Sequence, residues 1–289
     1  MATLENDTLR IDIQEKGAQL TSIVDKQTNI EHLWQADPAV WPWHAPNLFP
    51  IIGGCLNNQL LIDGKTYPMQ RHGFARQLPF TLVESTANSA TFSLQSSDQT
   101  KTSYPYAFDF QINYSLTENQ LDVMYRVINQ DDKTVFFSVG AHPAFAVPFL
   151  DDEAYEDYYL EFEKAEPLET SMLSAEGYFT GETKTVPTDG SRLALTKHLF
   201  DEDALVFKHI DSRSVTIRST KNDHAVTVTY KEFPYLGVWA KPGAPFVCIE
   251  PWLGCADSVG ELLPIEQKEL IQQVAVGQTF AATFSIKIS

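Results

Sequence analysis

The sequence predicts an all-β fold, on three observations. Apolar and polar residues alternate with period two along most of the chain, turn signals punctuate the alternating runs, and helical periodicity is scarce. Together these point to one large antiparallel domain of many short strands over residues 1–289. All-β domains of this length are commonly single.

The elements can be justified in chain order. Asp63-Gly64 stands between LLI and KTYPM, a strong hairpin signal, because both residues accept the left-handed backbone of a two-residue turn. Phe108, Phe110, Ile112, Tyr114 and Leu116 alternate without a break. Leu121, Val123, Tyr125 and Val127 follow a Thr-Glu-Asn-Gln turn, so the two runs form a hairpin. The acidic stretch from Asp151 to Asp157 reads as a loop or a turn of helix. Thr170 to Gly190, rich in Ser, Thr and Gly, reads as a long surface excursion within the domain, because similar strands flank it. Further strands are expected at Val215 and Ile217, at Val226, Val228 and Tyr230, and at Phe284, Ile286 and Ile288. The best helical segment is Ile265 to Val274, opened by Pro264, and it should be short.

Composition narrows the function. Hydrophobic residues make up 43% of the chain and aromatic residues 12%, ample for a core. No apolar run approaches the eighteen or so residues of a membrane span. The N-terminus lacks a basic region followed by an apolar one, so no signal peptide is expected. Cys55, Cys248 and Cys255 are odd in number and without zinc or redox spacing, which suggests reduced thiols and a cytoplasmic location. A net charge of −17 speaks against nucleic acid and anionic membrane as partners, since both select a positive surface. The same charge disfavours long-range capture of a sugar phosphate but does not penalise a neutral small molecule.

Three polar residues interrupt apolar stretches: His72 in RHGFAR, His142 in GAHPAF and Glu250 in FVCIEPW. Proline follows His142 and Glu250, so both should project from extended backbone at a strand end. Each has a plain structural explanation, a hydrogen-bonded core histidine or an ion-paired carboxylate. Each is also costly to desolvate, which suits a proton-transfer site. Trp252, two residues beyond Glu250, shares its side if the strand continues. It and Trp239 are platforms for a sugar face or ordinary core residues. Two histidines and a carboxylate also have the composition of a non-haem iron triad, but no His-x-His or His-x-x-x-His spacing supports a metal. No G-x-S-x-G elbow and no Gly-rich phosphate loop is present.

Taken in order, FPI-GG, RHGFAR, GAHPAF and FVCIEPW resemble the aldose 1-epimerase (galactose mutarotase) family, most closely its bacterial LacX-related branch. The resemblance spans roughly Leu4 to Ser289. It implies an antiparallel β-supersandwich with few short helices and a sugar site on a concave sheet face. It also implies interconversion of the α and β anomers of a free aldose, with no cofactor and no metal. By this resemblance Glu250 is the base at the C1 hydroxyl, His142 the acid at the ring oxygen, and His72 a hydrogen-bonding partner of that oxygen. The family's sugar-contacting arginine after FPI falls on Gly54 here, so Arg71 and Arg76 are its nearest substitutes. Asp203 is the candidate for the family's hydroxyl-binding aspartate. Two other readings are compatible. One is a hexose-6-phosphate 1-epimerase, with Arg71, Arg76 and Lys241 converging on the phosphate. The other is a sugar-binding protein without catalysis. A monomer or a homodimer is expected.

Overall fold

The computed structural model describes residues 1–289 and is built almost wholly of antiparallel strands. Its largest sheet has nine strands. In spatial order they are Arg192–Ala194, Tyr158–Phe162, Ser214–Ser219, Ala225–Thr229, Thr279–Ile288, Gln120–Asn129, Phe108–Thr117, Ser89–Gln95 and Thr81–Ser85. The predicted hairpin lies at its centre, with Phe110 opposite Val127, Ile112 opposite Tyr125 and Tyr114 opposite Val123. These directly facing apolar pairs place one face of the sheet in the core. The Asp63-Gly64 hairpin also forms, joining Gln59–Ile62 to Lys65–Pro68 with both turn residues at positive φ.

A second sheet carries the chemistry-bearing segments. Its strands run Leu205–Phe207, Tyr235–Trp239, Phe246–Leu253, Val139–Ala141 and Asn47–Leu48, and Ala144–Ala146 pairs with the other end of Phe246–Leu253. Phe246–Leu253 is buried at every residue, as its continuous apolar run requires. The two sheets pack face to face. Phe49, just after Asn47–Leu48, stacks on Phe110 at 4.4 Å between ring centres, and Phe207 meets Phe162 at 5.8 Å. Tyr125 donates its hydroxyl proton to Asn47 Oδ1 at 2.7 Å, which gives a buried amide oxygen the partner it needs.

Two expectations need correction. The segment Ile265 to Val274 is not a helix. Only Ile265–Gln267 forms a 3₁₀ turn, Leu270 sits at φ +55°, and Gln272–Val274 is a strand paired with Val135–Phe137. Pairing with a neighbouring strand, and the Asn129 amide donating to the Val274 carbonyl, outcompete a weak local helical preference. Glu250 lies inside its strand and not at its end, because Pro251 removes one ladder donor without breaking extended backbone. The Thr170 to Gly190 stretch is a hairpin, Leu168–Leu173 with Phe179–Val186, whose turn reaches the pocket described below. The acidic stretch does contain a short turn of helix, Tyr155–Asp157. No helix is long and apolar enough to cross a membrane.

Candidate functional site

The floor of the site is one face of two neighbouring strands. Gly237 pairs with Glu250, Trp239 with Cys248 and Tyr235 with Trp252, so alternate residues on both strands point the same way. Gly237 matters to this face. A Cβ there would stand 2.6 Å from the Trp252 ring, so the missing side chain is what lets the indole lie across the strand.

His142 directly follows Val139–Ala141, and its amide N–H donates to the Pro46 carbonyl at 3.1 Å. Its imidazole is boxed by aromatic rings. Trp41 stacks on it at 5.1 Å and 27°, and Trp239 meets it edge-on at 5.8 Å. Nε2 of His142 lies 3.3 Å from Oε1 of Glu250. His142 is 8% exposed and Glu250 1%, so both polar heads have lost nearly all their water. His142 Nδ1 and Glu250 Oε2 have no hydrogen-bond partner in the protein. Two unsatisfied polar atoms beside a cavity are positioned to receive a polar ligand.

His72 occupies a turn at φ +66°. Gly53 holds it twice: the His72 amide donates to the Gly53 carbonyl at 2.8 Å, and the Gly53 amide donates to Nδ1 of the ring at 3.1 Å. A ring nitrogen that accepts carries no proton, so the neutral ring bears its hydrogen on Nε2. The ring centres of His72 and His142 are 5.7 Å apart.

Burial governs the proton affinities. Desolvation pushes His142 down to about 3, with the Arg76 charge adding to the effect. Desolvation also holds His72 well below the usual imidazole range, aided by His142, Arg76 and Arg71. Burial raises Glu250 well above the usual carboxylate range, and the Asp203 carboxylate adds to it. The Trp252 indole N–H works the other way on Glu250, although in the geometry it has no hydrogen-bond acceptor. Burial thus favours the uncharged form of each group, a carboxylic acid beside a neutral imidazole. Burial outweighs the charge pairing that proximity would otherwise give a carboxylate and an imidazolium.

These residues surround a cleft of about 260 Å³, a size suited to one small ligand. His72, His142, Glu250, Trp239 and Trp252 line it, and so do Arg71, Arg76 and Asp203. Arg76 donates to the Arg71 carbonyl at 3.0 Å and lies 5.0 Å over the Trp43 ring, while its Nε is buried without a partner. Neither arginine has a carboxylate within 4.0 Å, although the chain carries a net charge of −17. Lys241 does not join them: it donates to the Val40 carbonyl and does not line the cleft.

Sequence reasoning missed part of the wall. Trp41 was signalled only by the aromatic WPWH run, and Leu173, Gly177 and Phe179 come from the hairpin that had no assigned role. Three side chains with metal-ligating atoms cluster here, His142, Cys248 and Glu250, with those atoms within 4.8 Å of one another. This differs from the two-histidine grouping considered from sequence, because His72 is outside it. The Cys248 thiol is fully buried, and burial holds its pKa well above the usual range, with Glu250 adding to it. A metal would have to displace a firmly held proton there.

Comparison with known proteins identifies the family and the fold. The family model described as aldose 1-epimerase matches residues 1–264. The plasmid-encoded protein LacX of Lactococcus lactis subsp. lactis is 35% identical over 294 aligned residues, covering 99% of this chain and 98% of that protein. A galactose mutarotase related enzyme from Lactobacillus acidophilus superposes with a TM-score of 0.95 at 34% identity, covering 100% of this chain and 97% of that one. A galactose mutarotase-like protein from Lactobacillus casei gives 0.94 at 32% identity, with both chains covered completely.

Proposed function

The chain belongs to the aldose 1-epimerase family, and we propose that it interconverts the α and β anomers of a hexose by acid–base ring opening and reclosure. The observation that carries this reading is the buried Glu250–His142 contact, with the Nε2–H of His72 close by.

Opening a pyranose requires a proton to leave the C1 hydroxyl and another to reach the ring oxygen. Carboxylate Glu250 takes the first and imidazolium His142 supplies the second as the bond from C1 to the ring oxygen breaks. The pair is then a carboxylic acid and a neutral imidazole, the arrangement that burial favours. Rotation about C1–C2 presents the other face of the aldehyde. In closure Glu250 returns its proton to the aldehyde oxygen and His142 takes the proton of the attacking hydroxyl. The two proton arrangements of the pair thus serve the two halves of the cycle, and no proton is exchanged with solvent. To begin opening from that uncharged arrangement, one proton crosses the 3.3 Å gap from Glu250 to His142. The Nε2–H of His72 donates a hydrogen bond to the ring oxygen, and Trp239 and Trp252 flank the sugar with apolar faces.

A second reading has its own support. Arg71 and Arg76 line the cleft without carboxylate partners, which suits a phosphate on the sugar. The absence of Lys241 from the cleft removes one of the three cations that reading used. Polarimetry of freshly dissolved α-D-galactose and α-D-glucose tests the proposal, with glucose 6-phosphate and galactose 6-phosphate followed by NMR. Faster equilibration of the free sugars is the expected result. Acceleration confined to the 6-phosphates selects the second reading, and binding without acceleration contradicts both.

A further inference from the structure

We infer that the turn of the Leu168–Val186 hairpin is a positioning element: the Glu176 carbonyl and the bare Cα of Gly177 hold the Arg71 guanidinium at the cleft as a donor to a sugar oxygen. This inference rests on the sugar-site reading above and extends it to residues that reading does not use.

The first observation concerns the place where a side chain is missing. A Cβ on Gly54 would stand 3.2 Å from the Tyr178 ring and 3.9 Å from Arg71 Nη2. The volume that a side chain from Gly54 would enter is therefore bordered by Arg71 and by a residue of the hairpin turn. Tyr178 is fixed there by its hydroxyl, which donates to the Cys55 carbonyl at 3.2 Å.

The second observation is how Arg71 is held. Its Nη2 donates to the Glu176 carbonyl at 2.7 Å, a short bond from a charged donor. Gly177 lies against the guanidinium so closely that a Cβ would fall 2.1 Å from Nη2 and 2.9 Å from Cζ. Gly177 also sits at φ +80°, a conformation that glycine adopts without strain. The turn is itself braced. The Gly177 amide donates to the Ser174 carbonyl and the Ser174 amide to the Tyr178 carbonyl. Phe179 then anchors the hairpin beyond the active-site strand, donating to the Asp257 carbonyl and accepting from the Val259 amide.

Arginine is otherwise a poor specificity element at an exposed position, because its long stem must be ordered on binding. One bond to a braced carbonyl, with a glycine behind it, orders it in advance. The remaining N–H groups stay free to reach a sugar oxygen other than the two that exchange protons with Glu250 and His142. Charged donors to substrate oxygens have sizeable binding effects, so the loss is expected in KM before kcat.

A double-mutant cycle on the full chain tests this, using Arg71→Ala, Gly177→Ala and both together, with KM and kcat for galactose and glucose. Each single change should raise KM about tenfold and lower kcat less than about threefold. The double variant should match Arg71→Ala alone, because the two act through one guanidinium. Gly177→Asn brings in the same Cβ with a residue that tolerates positive φ, and serves if the alanine variant does not fold. Additive effects overturn the inference, as does a folded Gly177 variant with the wild-type KM. A readout free of sugar separates this from failure of the functional reading. In ¹⁵N relaxation the Arg71 Nε–H should be rigid in the wild type and mobile in the Gly177 variants. Equal mobility in both would overturn the inference even if anomers are turned over.

Discussion

Nε2 of His142 stands 3.3 Å from Oε1 of Glu250 with the stacked ring of Trp41 covering the imidazole. The contact is close enough for a proton to pass between two groups whose own affinities have been driven apart by burial. Its consequences can be measured in several independent ways.

The pair should keep one shared proton over a wide pH range. His142 gains a second proton only near about 3, and Glu250 loses its own only well above the usual carboxylate range. His72, Arg76, Asp203 and Cys248 face the pair; burial holds His72 well below and Cys248 well above its usual range, so neither of these two supplies a titration near 6.5. The profile of kcat/KM for anomer exchange should be flat from mildly acid to neutral pH and fall only on the alkaline side. An inflection at the ordinary histidine value would count against a buried, coupled pair.

Trp41 should matter to rate more than to binding. Its ring excludes water from His142 and offers a π face to the imidazolium that forms during opening. An aromatic contact of this kind contributes about 1 kcal/mol. Trp41→Leu should therefore lower kcat roughly fivefold to tenfold, and Trp41→Phe by less. Stopped-flow polarimetry of the three proteins, with sugar affinity measured alongside, checks the order.

Glu250 should cost stability at high pH. Its folded pKa lies above the unfolded value, so the favourable contribution is complete below about 4.5 and disappears as pH rises toward the folded value. Glu250→Gln removes that burden. Urea unfolding at pH 8 should find the variant more stable than the wild type, with the gap closing near pH 4.5. A variant less stable at pH 8 would mean that the carboxylate is compensated in the folded protein.

His32 should sensitise the fold to acid. It is 1% exposed, packs edge-on against Phe149, and neither ring nitrogen has a partner. Burial lowers it to about 4, so the unfolded chain binds a proton below about 6.5 that the folded chain refuses. That difference amounts to about 3 kcal/mol of stability lost between pH 7 and pH 4. His32→Phe should flatten this part of the pH–stability curve, as read by urea midpoints.

The legible parts of this molecule were those set by nearest neighbours. Asp63-Gly64 and the Phe108–Val127 alternation fix local geometry, and both hairpins form. His72, His142 and Glu250 stood out because polar groups in apolar strands are rare, and they share one cleft. What escaped depends on pairings distant in sequence. Gln272–Val274 becomes a strand only because Val135–Phe137 lies beside it. Trp41 reaches His142 across a hundred residues, and the Glu176 carbonyl meets Arg71 across 105. The protonation of the pair was also out of reach, since neither sequence nor spacing reports how completely water is excluded.

Anomer exchange of galactose at equilibrium, followed by two-dimensional NMR in wild type and Glu250→Gln at matched sugar occupancy, bears most directly on the proton cycle. Glutamine preserves shape but cannot take the C1 proton, so exchange should fall by at least about a hundredfold to the uncatalysed rate while the sugar still binds. Exchange in the glutamine variant close to that of the wild type would contradict the account.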